Sequence, residues 1–134
     1  MAEGRRGPVS AASELLLRVW ADPHSVGDAR RAVKDFCHNG GLGLLADDAE
    51  LLTSELMTNA CRATHGLITL VALRDAAGVV VTVTDDDRSE VAMSASLPAI
   101  DADTGRGLFL VDQMAGSWGT SRYTGGKTVW FRLP

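Results

Sequence analysis

The chain has 134 residues and a mass of 14.2 kDa, about the length of one domain and enough to enclose a single hydrophobic core. With 46% hydrophobic and 22% charged residues its composition is that of an ordinary globular protein, which excludes a disordered tail, a collagen-like chain and a supercharged chain. Seventeen acidic against thirteen basic residues leave a net charge of -4, and no run of Lys and Arg exceeds a pair, so the broad basic footprint of a nucleic-acid binder is missing.

Residues 1–9 are rich in Gly, Arg and Pro without periodicity and read as a disordered lead to a domain spanning 10–134. Glu14 to Trp20 (ELLLRVW) is short and apolar, compatible with strand or helix, and is assigned as a strand followed by a helix. Asp22 and Pro23 then supply the helix start, with Asp as N-cap and Pro at the first helical position. That helix carries Val26, Ala29, Val33 and Phe36 at helical spacing and stops at Asn39, Gly40 and Gly41. A second helix is expected over 46–64, with Ala49, Leu52, Leu56, Ala60 and Ala63 on one stripe. Leu67 to Arg74 and Gly78 to Thr84 are β-branched runs on either side of a turn at Asp75 to Gly78, a hairpin signal.

From Asp85 to Asp103 the chain is acidic, rich in small residues and without period, which predicts a long loop with a lid over about 86–103. Gly105, Arg106 and Gly107 are expected to open a third helix whose stripe is Leu108, Val111 and Ala115. Trp118 to Tyr123 and Lys127 to Leu133 form a second hairpin over Gly125 and Gly126. The order β-α-α-β-β-loop-α-β-β predicts an α/β two-layer sandwich, a mostly antiparallel five-stranded sheet packed on three helices. The longest apolar run, about six residues from Ile68 to Leu73, is far short of the roughly twenty that span a bilayer. Cys37 and Cys61 form no CxxC pair and no secretory h-region opens the chain, so a soluble, cytoplasmic protein is expected.

Three places carry residues suited to chemistry. Glu55 and Asn59 lie four apart on the second helix and project from one side of it; a carboxylate can take a proton from an attacking hydroxyl, and an amide oxygen can complete a Mg²⁺ shell. Asp85 closes a strand where the irregular loop begins, a place for a binding group or a turn former. Thr104, Gly105, Arg106 and Gly107 stand at a helix start, where backbone N–H groups and the helix dipole favour an anion. Gly41 to Ala46 fits GxGxxA but follows a helix instead of a strand, which removes the dinucleotide reading, and no GxxxxGK[ST] occurs. His24, His38 and His65 have no metal-ligand spacing.

Taken together, ELMTNA, the strand-end Asp85, TGRGL and the final Gly-Lys-Thr-Val-Trp-Phe strand resemble, in order and spacing, the Bergerat-fold (GHKL) histidine-kinase-like ATPases. Over about residues 10–134 the chain looks most like the small bacterial anti-sigma-factor serine-protein kinases. The resemblance implies ATP and Mg²⁺ as ligands, Glu55 as catalytic base, Asn59 as metal ligand and Asp85 as partner of the adenine amino group. It implies phosphate-binding roles for Thr104, Gly105, Arg106, Gly107 and Leu108, and support of adenine by Thr128 beside Asp85. Arg62, on the same helix as Asn59, is a further residue for the same site. The implied partners are an anti-anti-sigma (STAS-type) protein, a sigma factor as competing ligand, and a second copy of the chain. The family's adenine box reads Asp-x-Gly-x-Gly, whereas Asp85-Asp86-Asp87-Arg88-Ser89 stands here without either glycine. Two functions follow: a protein kinase acting on a serine, or a non-catalytic module, nucleotide-sensing or nucleotide-free, that switches partners. A detached accessory domain of a larger sensor system is a third, weaker reading.

Overall fold

The computed structural model describes residues 13–86, 102–123 and 125–134, and for 102–107 the backbone alone. The expected lead over 1–9 and nearly all of the expected lid lie outside these residues. The first strand, β1 (Glu14–Trp20), alternates exposed and half-buried positions, and α1 (Pro23–Asn39) starts where the sequence places its cap. Asp22 is extended, its Oδ1 accepts a 2.7 Å hydrogen bond from the His24 N–H, and Pro23 occupies the first turn, where a missing donor costs nothing. Past the helix, Gly41 has φ +77°, a left-handed conformation that glycine adopts without strain.

A single 3-10 turn at Gly43–Leu45, expected as loop, leads into α2 (Ala46–Ala63). Asp47 and Asp48 in its first turn complement the helix dipole, and Ala49, Leu52, Leu56, Met57 and Ala60 form its buried stripe. Glu50 of α2 receives Arg30 at 2.9 Å and Lys34 at 3.4 Å from α1, so charge pairing at the edge of the helix interface adds to apolar contact inside it.

The strands β2 (Leu67–Arg74), β3 (Val79–Asp85), β4 (Ser117–Tyr123) and β5 (Gly126–Leu133) join β1 in one antiparallel sheet ordered β1-β2-β3-β5-β4. A strand's period of two decides which residues enter the core. Leu70 faces Val83 and Val83 faces Val129, while Ala72, Val81 and Phe131 line up in the next row, and all six are buried with α1 and α2. The opposite face carries Leu16 and Trp20, which are exposed, together with Thr82, Trp130 and Arg132. The helix α3 (Ala102–Met114) reaches the core through Val111. It begins three residues before the expected Gly105, which turns the two glycines from a helix entry into helix interior.

The β2–β3 hairpin turns on Asp75, whose Oδ1 accepts from the Ala77 N–H at 2.8 Å and the Gly78 N–H at 2.9 Å. These two hydrogen bonds, Ala77 first, hold the Asp75 carboxyl below the usual carboxylate range, and Arg132 acts in the same direction. A depressed native pKa gives stability that is complete above the unfolded value, about pH 4, and is lost as pH falls through the native value. Asp75→Ala should therefore lower the urea midpoint at pH 7, and the gap to the unmodified protein should close as pH falls below about 4. A gap that stays constant to pH 2 would show that the ionised form of Asp75 has no part in it.

Candidate functional site

Helix α2 packs on α3, β3 and β5. Glu55 and Asn59 are half-buried and one turn apart beside the stripe of Leu52, Leu56 and Ala60. Helical spacing alone brings them to one side, because residues four apart stack along the axis. Neither side chain has a hydrogen-bond or ion-pair partner among the described residues. Arg62, in the last turn of the same helix, is exposed.

Asp85 is 3% exposed and is one of three buried polar or charged residues among those described. The cause lies in the strand period: Val79, Val81 and Val83 are core residues, and the next residue of that parity is Asp85. Opposite it in the sheet stands Lys127, which obeys the same rule with Val129, Phe131 and Leu133. The Lys127 ammonium lies 3.7 Å from Asp85 Oδ2, with side-chain exposures of 12% and 2%. A carboxylate so enclosed needs a cation or donors nearby, since burying an isolated charge is prohibitive.

Gly126 is what lets the two strands meet there. Its φ is +157°, and a Cβ on it would stand 1.9 Å from the Asp85 carbonyl oxygen, so only glycine permits this approach. The Tyr123 hydroxyl reaches the same carbonyl at 3.5 Å.

Thr128 lies elsewhere than expected. It shares the outward face with Trp130 and Arg132, and its hydroxyl is 3.0 Å from that of Thr84, so it does not stand beside the Asp85 carboxylate. The residue on Asp85's face is Lys127, which the sequence reading passed over; the alternation Lys127, Val129, Phe131, Leu133 was the signal that could have found it.

Asp86, in place of the first variable residue of the adenine box, is turned away from that pair. Its carboxylate accepts the Thr64 hydroxyl in the turn between α2 and β2, and it lies so close to Gly66 that a Cβ there would meet it at 2.3 Å. Asp87, Arg88 and Ser89 lie outside the described residues.

Thr104, Gly105, Arg106 and Gly107 occupy the first two turns of α3, and Leu108 is half-buried against the core. The N–H groups of 102–104 have no partner inside such a helix, whereas those of Gly105 and Gly107 are committed to it. The free N–H groups of this segment are therefore those of the first turn of α3.

Among the described residues no group of three or more His, Cys, Asp and Glu could hold a metal ion. Magnesium arriving with a nucleotide needs only one or two protein ligands besides phosphate oxygens and water, and the half-buried Asn59 amide beside Glu55 is a donor set that fits it. Cys37 and Cys61 are free thiols. No described helix is long and apolar enough to cross a membrane.

The family model of the histidine kinase-like ATPase domain matches residues 19–133, from the end of β1 to the end of β5. No curated protein matches the chain.

Proposed function

Because the chain belongs to the histidine kinase-like ATPase family, an ATP-binding family, we propose that it is a regulatory serine/threonine-protein kinase of anti-sigma-factor type whose substrate is a serine of an anti-anti-sigma (STAS-type) protein. The observation that carries this reading is the pair Glu55 and Asn59, a carboxylate and an amide one turn apart on α2, unspent on other described residues. A sigma factor is the competing partner, and a second copy of the chain the assembly partner.

In this reading the serine Oγ attacks the γ-phosphorus, the bond to the β,γ-bridging oxygen breaks, and the hydroxyl proton passes to the Glu55 carboxylate. Phosphoryl transfer asks of a protein mainly positioning and charge stabilisation, so one base and a well-placed nucleotide suffice. Bound Mg²⁺ would supply neutralisation of the β- and γ-phosphate charge, and Asn59 is the residue to hold it. Asp85 accepts from the adenine amino group, and the first turn of α3 offers its free N–H groups to phosphate.

A non-catalytic partner-switching module is the second reading, favoured by the helical position of Gly107, whose N–H is spent inside α3. Calorimetric titration of Mg-ATP into the purified protein, followed by label transfer from γ-labelled ATP to a STAS-type partner, tests both. Binding with transfer supports the kinase, binding without transfer supports a nucleotide-sensing module, and absence of binding at millimolar Mg-ATP removes the kinase and leaves only a nucleotide-free module. Asn59→Ala is expected to abolish the Mg²⁺-dependent part of nucleotide affinity while leaving thermal unfolding nearly unchanged, because Asn59 is off the buried stripe. Equal Mg-ATP affinity in that variant would count against Asn59 as the ligand.

A further inference from the structure

The Asp85–Lys127 pair is more than charge balance. Lysine is almost never deeply buried without a partner, yet the Lys127 side chain is only 12% exposed. Its one described partner, Asp85 Oδ2 at 3.7 Å, lies beyond direct hydrogen-bond length. The ammonium has three donors and no acceptor capacity, so a nearly buried group is left with donors to spend. A ligand acceptor placed beside it would receive a hydrogen bond from a charged donor. The backbone fixes this arrangement: Gly126 brings β5 against the end of β3, and the register sets residue 127 opposite residue 85 on the core-facing side.

Side by side, Asp85 offers an acceptor and Lys127 a donor. Their complement on a ligand is a donor next to an acceptor, and the Watson–Crick edge of adenine presents that pair in its amino group and ring nitrogen N1. We propose that Lys127 is a specificity-determining residue that donates to adenine N1 while Asp85 accepts from the amino group, so that the base is read on two adjacent atoms. This rests on the nucleotide-binding reading above and adds to it the residue and the ring atom.

The test compares ATP with 1-deaza-ATP, which keeps the amino group and lacks the N1 acceptor, by calorimetry with Mg²⁺ present. The unmodified protein should bind 1-deaza-ATP at least about tenfold more weakly than ATP, the usual effect of losing a hydrogen bond to a charged donor. In Lys127→Met the ratio of the two affinities should fall to about one. Lys127→Met removes one charge partner of the Asp85 carboxylate and weakens the fold, so the doubly neutral Asp85→Asn/Lys127→Met variant carries the same comparison, again with an expected ratio of about one. Equal affinities in the unmodified protein, or a ratio unchanged in the variants, would make Lys127 a structural ion-pair partner only and overturn the proposal. Tighter ATP binding by Lys127→Met would overturn it too, by showing that the ammonium competes with the base for Asp85. Failure of the unmodified protein to bind either nucleotide is a different result, which removes the nucleotide reading itself.

Discussion

Glu55→Gln is expected to reduce phosphorylation of a STAS-type partner by about 10²–10⁴ while changing Mg-ATP affinity by less than about threefold. Glutamine keeps the shape of glutamate and its place on α2, but its amide cannot accept the proton of an attacking serine. A base acts in the transition state and is nearly idle in the nucleotide complex, so its loss appears in rate and not in binding. Single-turnover transfer of label from γ-labelled ATP measures the first quantity and calorimetry the second. Transfer at the unmodified rate would remove Glu55 from the role of base even with kinase activity intact. Absence of phosphoserine with both versions, alongside intact nucleotide binding, would identify the partner-switching module.

The parts of the fold that the sequence made legible are those where one local rule acts undisturbed. Asp22 and Pro23 start α1 because an N-cap oxygen and a residue with no N–H are what a first turn needs, and Asp75 closes the β2–β3 hairpin by accepting two N–H bonds. The stripe Ala49, Leu52, Leu56 and Ala60 follows from a period of 3.6 alone. At α3 the local rule pointed elsewhere. Two glycines read as the helix entry, yet the helix runs through both from Ala102. Each glycine costs a helix about 1 kcal/mol, a sum that packing of Val111, Leu108 and Leu110 against the core can offset.

At the site, the helical pair was legible because spacing along one helix is a one-dimensional property. The surroundings of Asp85 were not, because they depend on how two strands distant in sequence pair. Resemblance to a motif pointed to Thr128, but a shift of one residue moves a side chain to the other face of a sheet. Asp85 pairs in register with Lys127, which leaves Thr128 with Thr84 on the outward side. The register is in turn fixed by Val129, Phe131 and Leu133, which must all face the core, so the identity of Asp85's neighbour is a consequence of core packing.

That dependence gives the Asp85–Lys127 pair a large expected effect on stability as well as on recognition. Asp85→Ala removes the carboxylate and leaves the Lys127 ammonium nearly enclosed beside Val83 and Val129, an uncompensated charge that should cost about 3–5 kcal/mol of unfolding free energy. For a domain whose whole stability is about 5–15 kcal/mol this is a substantial share. Lys127→Met removes one of the Asp85 carboxylate's interactions and leaves it another, so its cost should be smaller. Removing both charges at once is a different physical change: Asp85→Leu/Lys127→Met replaces two desolvated ions by apolar side chains in a surface already built of valine and phenylalanine, and should fall within about 1–2 kcal/mol of the unmodified protein. Urea unfolding of the four proteins at pH 7 closes the cycle, with an expected coupling of several kcal/mol. Additive single losses would mean that the two charges do not sense one another across their 3.7 Å separation. The stable double variant should no longer distinguish adenine from other bases, which would place the two charges in recognition, since the fold would stand without them.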